Sequence, residues 1–197
     1  SFSCRIGKGT HKGVGTLRSM LYKAGKNNTR NVYILKCDIE KFFDSINHET
    51  LLAILHTRIK DKELMNLLTE VIESFTSDRS TLFERCGVPI GNLTSQLFAN
   101  VYMDVFDQFM KHELKVKYYA RYTDDFVIVS ENKEYLIQLL PKIHPFLKNK
   151  LQVQIHPKKI TITKFGRGID YLGYVLFPHF TLVRTRTKKR AVRKLNE

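Results

Sequence analysis

The chain has 197 residues, of which 43% are hydrophobic, and its 33 Lys and Arg against 19 Asp and Glu give a formal net charge of +14. This length and apolar content allow one domain with a core, and the basic excess favours a partner rich in phosphate. Three irregularly spaced cysteines exclude a disulfide framework and a cysteine-ligated zinc site. No apolar run reaches membrane-spanning length and no signal peptide is visible, so we expect a cytoplasmic protein.

Helices are predicted where apolar residues recur at helical spacing. In chain order these are residues 10–24 with Thr10 as the cap, residues 48–55, residues 64–72, residues 93–114 with Asn92 or Thr94 as the cap, and residues 135–150 with interruptions at Pro141 and Pro145. The apolar stripes on these helices are interpreted as core.

Strands are predicted over residues 32–38, 117–122, 126–130 and 160–163, and the run 171–177 is strand-like apart from Gly173. The first four would form an antiparallel sheet with helices on one face. The expected fold class is therefore α+β.

Acidic residues fall at the ends of two of these strands. Asp124 and Asp125 lie at the tip of a predicted tight hairpin, and Asp38 ends the strand 32–38. An Asp pair in a hairpin is, by itself, more often turn chemistry than catalysis. Three carboxylates at strand ends nevertheless suggest a site for Mg²⁺, which prefers oxygen ligands. Two such ions about 3.5–4 Å apart can stabilise the attacking and leaving oxygens of a phosphoryl displacement.

Further segments in a fixed order support this interpretation. A loop punctuated by Gly and Pro, residues 86–92, runs into an apolar helix, where it could approach a nucleotide closely. Lys158 and Lys159 lie on a turn before a short strand. The strand-like run around Gly173 follows.

In this order the segments resemble those of a reverse transcriptase. The motifs that carry the resemblance are Asp38 followed by Phe42-Phe43, the loop Gly87-x-Pro89-x-Gly91 with Ser95-Gln96, the hairpin Tyr122-x-Asp124-Asp125, the turn Pro157-Lys158-Lys159, and Leu172-Gly173. Within the family the chain looks most like the enzymes of bacterial and phage diversity-generating retroelements. Most reverse transcriptases carry Gln-Gly and Ser-Pro where this chain has Ile90-Gly91 and Ser95-Gln96.

The resemblance implies a polymerase palm with an antiparallel, ferredoxin-like sheet backed by helices, plus part of the fingers. We expect residues 1–31 to be a partial fingers segment, residues 32–178 the palm, and residues 179–197 a basic tail leading toward a thumb. Because the chain starts without Met and ends soon after the Leu-Gly motif, we expect a fragment without a thumb.

The resemblance also implies the catalytic and metal-binding residues. Asp38, Asp124 and Asp125, with the backbone carbonyl of Ile39, would hold two Mg²⁺ ions, for which Mn²⁺ could substitute. Asp38 and Asp124 would bridge the metals. Lys159 matches a general acid toward pyrophosphate, although a solvated surface charge is an equally good interpretation.

A set of residues is expected at the dNTP: Lys41, Phe42, Phe43, Ile90, Gly91 and Gln96. The amides of Lys41 and Phe42 would face the triphosphate. Phe43 matches an aromatic gate against a ribose 2′-hydroxyl, and the alternative is a core aromatic. Since successive strand side chains face opposite ways, one of the two Phe rings is expected in the core and the other, Phe43, at the site. Ile90 cannot make the hydrogen bonds of a Gln, which predicts misincorporation opposite template adenines.

The expected macromolecular partners are an RNA template and a DNA or RNA primer, with an accessory protein subunit as a further candidate. The residues assigned to nucleic-acid contact are Arg5, Lys8, Tyr122, Leu172, Gly173, Arg184, Arg186, Lys188, Lys189 and Arg190. For any single lysine among them, a solvated surface charge is the better interpretation.

Two other functions stay open on the sequence. One is a group II intron or retron reverse transcriptase, which would be expected to carry Gln-Gly and Ser-Pro. The other is a polymerase-like module that binds nucleic acid or a partner without catalysis. The intact Asp38, Asp124 and Asp125 favour an enzyme, because a degenerate scaffold has no physical need to cluster three desolvated charges.

Overall fold

A computed structural model of the protein describes residues 1–3, 6–75, 85–89 and 92–195. The helices are α1 (Thr10–Ala24), α2 (His48–Arg58), α3 (Lys62–Glu73), α4 (Leu93–Gln108), α5 (Lys133–Leu151) and α6 (Thr185–Leu195). The strands are β1 (Tyr33–Asp38), β2 (Tyr119–Tyr122), β3 (Asp125–Ser130), β4 (Thr161–Lys164), β5 (Ile169–Tyr171), β6 (Tyr174–Leu176) and β7 (Thr181–Val183). Short 3₁₀ turns cover Phe42–Ser45, Pro157–Lys159 and Phe165–Arg167, and a π-helical turn, Phe109–Glu113, extends α4.

The main sheet has four antiparallel strands in the order β2-β3-β1-β4. Helices α2, α3 and α4 lie between β1 and β2 in sequence, and α5 lies between β3 and β4. This order and connectivity are those of a ferredoxin-like sheet, which confirms the predicted α+β class. The central pair β1 and β3 brings Asp38 directly opposite Asp125.

Both faces of this sheet are covered, so the expectation of helices on one face was wrong. On one face Leu35 and Phe126 belong to a core that includes side chains of α4 and α5. On the other face Ile34 and Val127 pack in a second core with Leu17 of α1. A strand that is apolar on both sides needs cover on both sides. Helix α1, which the sequence assigned to a partial fingers segment, supplies the second cover.

Two helix details differ from the sequence-based predictions. Helix α1 begins at Thr10, but its N-cap is Gly9 and no side chain caps it. Helix α5 continues through Pro141 and Pro145 instead of being interrupted. Each proline removes a backbone hydrogen bond, but a stripe of buried leucines and Ile143 holds the helix against the sheet.

The run 171–177 is an antiparallel hairpin and not a single interrupted strand. Tyr171 pairs with Tyr174, and the turn between them has positive φ at Leu172 and Gly173. Glycine adopts this left-handed conformation without a steric penalty, so the chain reverses here. Strand β7 completes a second sheet in the order β5-β6-β7, and the predicted basic tail contains β7 and α6.

One buried ion pair joins α4 to the main sheet. Arg121 of β2 is 1% exposed, and it donates from Nε to Asp107 Oδ1 at 2.9 Å and from Nη2 to Asp107 Oδ2 at 2.7 Å. The Tyr119 hydroxyl donates to Asp107 Oδ1 at 2.7 Å. Burial opposes the charged form of Asp107, but the hydrogen bonds and charge of Arg121 outweigh it and lower the pKa of Asp107. The pair therefore stays charged in the core.

We predict that Asp107→Ala lowers the free energy of unfolding by about 3–5 kcal/mol, because it leaves the Arg121 guanidinium buried without a counter-charge. The matched control is Asp104→Ala, also on α4, which removes a surface ion pair with Arg58 at 2.5 Å. That change should cost about 0–1 kcal/mol. Urea denaturation of both variants measures the difference, and equal losses would contradict the account.

Candidate active site

The predicted hairpin is confirmed. Its two adjacent carboxylates do not both lie at the tip, as the sequence predicted. Asp124 lies in the turn, whereas Asp125 is the first residue of β3 and pairs with Tyr122. Thr123 has a φ of 55°, a conformation that β-branched residues rarely adopt. Arg121 Nη1 donates to the Thr123 carbonyl at 2.7 Å. The buried arginine thus fixes the turn that carries Asp124.

The structure brings the three predicted carboxylates to one end of the sheet. Asp38 and Asp125 are directly opposite in an antiparallel pair, so their side chains project from the same face. The backbone N–H of Ile39 donates to the Asp124 carbonyl at 3.3 Å, which ties the hairpin turn to the end of β1. Strand pairing alone therefore gathers residues that are far apart in sequence.

Two lysines occupy this acidic cluster. Lys159 Nζ lies 2.7 Å from Asp38 Oδ1, and Lys36 Nζ lies 3.1 Å from Asp125 Oδ2. Within the described parts of the chain, no three acidic, His or Cys side chains are arranged to hold a metal ion. Asp38 and Asp125 are each paired with an ammonium group instead, and the assignment of the three carboxylates as metal ligands stays a prediction.

The electrostatics of the cluster favour additional positive charge. Burial raises the pKa of Asp125 to about 6 against the opposing charge of Lys36, and the charges of Asp38 and Asp124 add to the rise. Burial likewise raises the pKa of Asp124, and repulsion from Asp38 contributes. Within the described residues, Asp125 Oδ1 is buried with no hydrogen-bond partner. This set of oxygen donors fits the chemistry of a hard divalent cation.

Lys159 keeps its proton at this site. Its hydrogen bond to Asp38 raises the pKa of the ammonium group, and the charges of Asp124 and Asp125 act in the same direction. The side chain is 53% exposed, so it can reach a ligand from solvent. Its 3₁₀ turn, Pro157–Lys159, precedes β4 as the sequence predicted.

Lys36 and Tyr171 also lie beside the carboxylates, and neither was predicted from the sequence as a site residue. Lys36 also donates to the Asp170 carbonyl at 2.9 Å and lies 5.9 Å from the centre of the Tyr171 ring. Burial and the nearby Asp125 raise the pKa of Tyr171. Lys36 could have been found from the sequence, since it lies two residues before Asp38 and shares its strand face. Tyr171 gave no such signal.

A cavity of about 620 Å³ opens beside the carboxylates. Asp38, Asp125, Lys36 and Lys159 line it, together with Thr161 and Thr163 of β4. It lies at the β4 edge of the main sheet. Acidic and basic groups thus converge on a space large enough for a nucleotide-sized ligand.

Phe42 and Phe43, both predicted at the dNTP, differ in exposure as expected. The cause is not the alternation of side chains along a strand. Phe42 is buried in the core and Phe43 is half-buried, yet both lie in the 3₁₀ turn Phe42–Ser45 and not in a strand. Their rings meet edge to face with centroids 5.5 Å apart. Lys41, the N-cap of this turn, has a φ of 43°. The expected strand alternation is therefore wrong, and the half-buried Phe43 packs against the same core that contains Phe42.

The Gly-Pro loop is tied to this turn. Val88 N–H donates to the Phe43 carbonyl at 2.9 Å, and Gly87 N–H donates to the Ile46 carbonyl at 2.9 Å. Gln96 is half-buried on α4. Ile90 and Gly91, to which the sequence assigned dNTP contact and low fidelity, lie outside the described residues.

Six of the predicted nucleic-acid contacts line one cavity of about 920 Å³, namely Leu172, Gly173, Arg184, Arg186, Lys189 and Arg190. The Arg184 guanidinium also pairs with Asp170. Lys8, Tyr122 and Lys188 do not line this cavity, and the Lys8 ammonium lies 5.2 Å from the Phe2 ring centre. Arg5 lies outside the described residues.

Comparison with known proteins agrees with this geometry. Residues 2–176 match the family model described as "Reverse transcriptase (RNA-dependent DNA polymerase)". The chain belongs to the reverse transcriptase family. The palm-like sheet, the Asp-Asp hairpin and the Leu-Gly turn are therefore parts of a reverse transcriptase domain.

The chain is similar to individual curated proteins over part of their length. Protein YkfC of Escherichia coli (strain K12) is 24% identical over 211 residues, covering 89% of this chain and 54% of YkfC. The group II intron-encoded protein LtrA of Lactococcus lactis subsp. cremoris is 22% identical over 205 residues, covering 72% of this chain and 34% of LtrA. The chain thus spans about half or less of these relatives.

Solved structures support the fold. Apo telomerase from Candida tropicalis, truncated from its C-terminal domain, superposes with a TM-score of 0.63 at 17% identity, covering 88% of this chain and 39% of the telomerase chain. Telomerase from Candida albicans, in complex with a fragment of telomeric RNA, superposes with a TM-score of 0.64 at 14% identity. The match covers 89% of this chain and 35% of that telomerase chain. No helix among the described residues is long and apolar enough to cross a membrane.

The raised pKa of Asp125 predicts that the free energy of unfolding falls as pH rises through this pKa. A carboxyl whose folded pKa is raised binds more protons in the folded state, so its stabilising contribution is lost as pH rises from about 4 to about 6. Asp125→Asn should therefore gain about 2 kcal/mol relative to the parent chain between these pH values. Urea unfolding at both pH values measures this gain. A difference between the two proteins that is constant with pH would contradict the assignment.

Proposed function

We propose that this chain is the palm of an RNA-directed DNA polymerase, which transfers dNTPs onto a primer 3′-hydroxyl with RNA as the template. The observation that carries the proposal is the convergence of Asp38, Asp124 and Asp125 at one end of a reverse transcriptase sheet. The chain spans about half or less of the curated relatives it matches, so we propose this activity for the domain in the context of a full polymerase. The 197-residue chain by itself is expected to be weak or inactive.

The acidic cluster is proposed to bind two Mg²⁺ or Mn²⁺ ions through Asp38, Asp124 and the Ile39 carbonyl, with Asp125 as a weaker ligand. When bound, such ions neutralise charge on the attacking and leaving oxygens of a phosphoryl transfer. The protein's own part is to hold the carboxylates in a fixed position. Arg121 does this for Asp124 through the Thr123 carbonyl.

Lys159 is proposed as the general acid toward the leaving pyrophosphate. The hydrogen bond to Asp38 raises the pKa of its ammonium group, so the group must leave Asp38 before it can donate its proton readily. Its ion pair with Asp38 is consistent with a resting position from which it moves to the phosphates.

On the nucleotide side, Phe43 is proposed as the gate against a ribose 2′-hydroxyl, with the Lys41 and Phe42 amides facing the triphosphate. The half-buried ring of Phe43 and the hydrogen bond from Val88 N–H to the Phe43 carbonyl support a fixed position for this residue shortly after Asp38 in the chain. The cavity lined by Leu172, Gly173 and the basic residues of α6 is proposed to hold the primer and template backbones. A cytoplasmic location and an accessory subunit stay predictions from the sequence.

Primer extension tests the proposal. With a poly-rA/oligo-dT substrate and Mg²⁺ or Mn²⁺, a version of the protein extended at both ends should incorporate dTTP. Asp124→Asn should reduce this incorporation by at least about a hundredfold, because it removes a charged metal ligand. Asp104→Asn, on the surface of α4, is the control and should keep full activity. An inactive extended protein that still binds the duplex would favour the non-catalytic module.

A second proposal concerns the subgroup. The Ile90-Gly91 and Ser95-Gln96 pattern supports an error-prone enzyme of a diversity-generating retroelement, whereas the similarity to LtrA supports a group II intron enzyme. The two differ in whether misincorporation opposite template adenine is built into the site.

Replacement of one side chain separates these subgroups. In the active extended protein, Ile90→Gln should lower misincorporation opposite template adenine by about tenfold, because a Gln side chain restores a hydrogen-bonding contact and so increases base discrimination. Ile90→Leu is the control that keeps an aliphatic side chain. Sequencing of the cDNA gives the error spectrum. An unchanged spectrum in Ile90→Gln would overturn the retroelement assignment.

A further inference from the structure

A groove lined by lysines runs along α1 at the β2 edge of the main sheet. Two cavities of about 630 and 370 Å³ adjoin there and share Lys23, Lys117 and Tyr118. Five exposed lysines line them, namely Lys12, Lys23, Lys26, Lys115 and Lys117. We call this feature the lysine groove.

The positive charge of the lysine groove is not neutralised within the described ranges of the chain. None of its five ammonium groups forms an ion pair there. The acidic residue in its lining, Glu131, pairs with Arg30 at 2.8 Å, and Lys26 and Lys117 lower the pKa of Glu131 further. The groove is therefore a concentrated basic surface with one carboxylate that is already engaged.

The wall of the lysine groove is shaped to admit a chain. Small residues of α1 face it, and a Cβ added at Gly15 would meet no atom within 4 Å. Thr16 and Ser19 add hydroxyl groups, which can donate to phosphate oxygens. The half-buried Tyr118 ring packs against the second core, and Lys117 Nζ lies over it at 5.3 Å from the ring centre, so a base could stack there only if the Lys117 side chain moved. Alternating cationic, hydroxyl and aromatic groups are typical of surfaces that bind a nucleic-acid strand.

The lysine groove is separate from the carboxylate cavity, although His11 lines both the groove and the basic cavity of about 920 Å³. The strand order places β2 and β4 at opposite edges of the main sheet, and the carboxylate cavity lies at the β4 edge. None of the carboxylates Asp38, Asp124 and Asp125 lines the groove. Lys12 and Lys23 lie about three turns apart on α1, about 16 Å along its axis, so several phosphates could be contacted at once.

We propose that the lysine groove binds the phosphate backbone of a nucleic-acid strand at a second site, away from the catalytic cavity. The groove is concave, and its apolar lining residues Met20 and Tyr118 are half-buried, which suits a strand better than a flat lipid surface. Such a site would hold part of the template or primer that is not being copied. The proposal does not depend on catalysis by the acidic cluster.

Charge reversal tests the lysine groove. The triple variant Lys12→Glu, Lys23→Glu, Lys117→Glu is compared with Lys142→Glu, Lys148→Glu, Lys150→Glu, which makes the same charge change on the exposed face of α5. Fluorescence anisotropy measures Kd for oligouridine RNA and oligothymidine DNA over a range of salt. For the groove variant, affinity should fall by about tenfold or more, and the slope of log K against log salt should fall by about 2.

The control variant should stay within about threefold of the parent chain. Equal weakening of both variants would show that only net charge matters, and this would overturn the proposal. Unchanged binding by the groove variant would also overturn it. Loss of binding to phosphatidylserine vesicles with RNA and DNA binding retained would assign the groove to a membrane surface instead. Lys→Gln at the same three positions replaces the groove variant if circular dichroism shows that it does not fold.

Discussion

The buried ion pair between Arg121 and Asp107 is the interaction on which the site depends. It is formed inside the core, where an uncompensated charge is strongly destabilising, so its geometry is fixed by the fold. One side of the guanidinium holds α4 through Asp107, and Nη1 holds the Thr123 carbonyl. The strained turn that carries Asp124 is therefore coupled directly to the core helix. A small displacement of this helix would move a candidate metal ligand.

The pairing register of β1 and β3 explains the electrostatics of the acidic cluster. The β1 and β3 strands must pair in one register to bury their apolar residues, and that register places Asp38 opposite Asp125. The two carboxylates cannot move apart without breaking the sheet. Lys36 and Lys159 relieve part of their repulsion, and the pKa of Asp125 is still raised to about 6. The fold thus holds negative charge together where a divalent cation would be most favourable.

Much of this arrangement could be predicted from the sequence, because runs of β-branched and aromatic residues bounded by turn residues indicate the strands. The pattern predicted the strand ending at Asp38 and the hairpin at Asp124. It could not predict that α1 covers the second face of the main sheet, since tertiary packing decides against which face a helix packs. It also could not predict that the run around Gly173 reverses direction, or that the lysines bind the carboxylates. The packing of α1 and the pairing of Lys159 with Asp38 depend on long-range contacts that a local pattern does not contain, whereas the reversal is a local turn at Leu172 and Gly173.

The central claim is that the strand-end carboxylates form a divalent-cation site from which the lysines are displaced. Mn²⁺ binding to this chain, measured by electron paramagnetic resonance, tests it most directly. The account predicts binding that is lost in Asp38→Asn and Asp124→Asn, kept in Asp104→Asn, and tightened by Lys159→Ala, which removes a competing ammonium group. Absence of binding in the parent chain and in Lys159→Ala, or binding that is indifferent to Asp38 and Asp124, would contradict it.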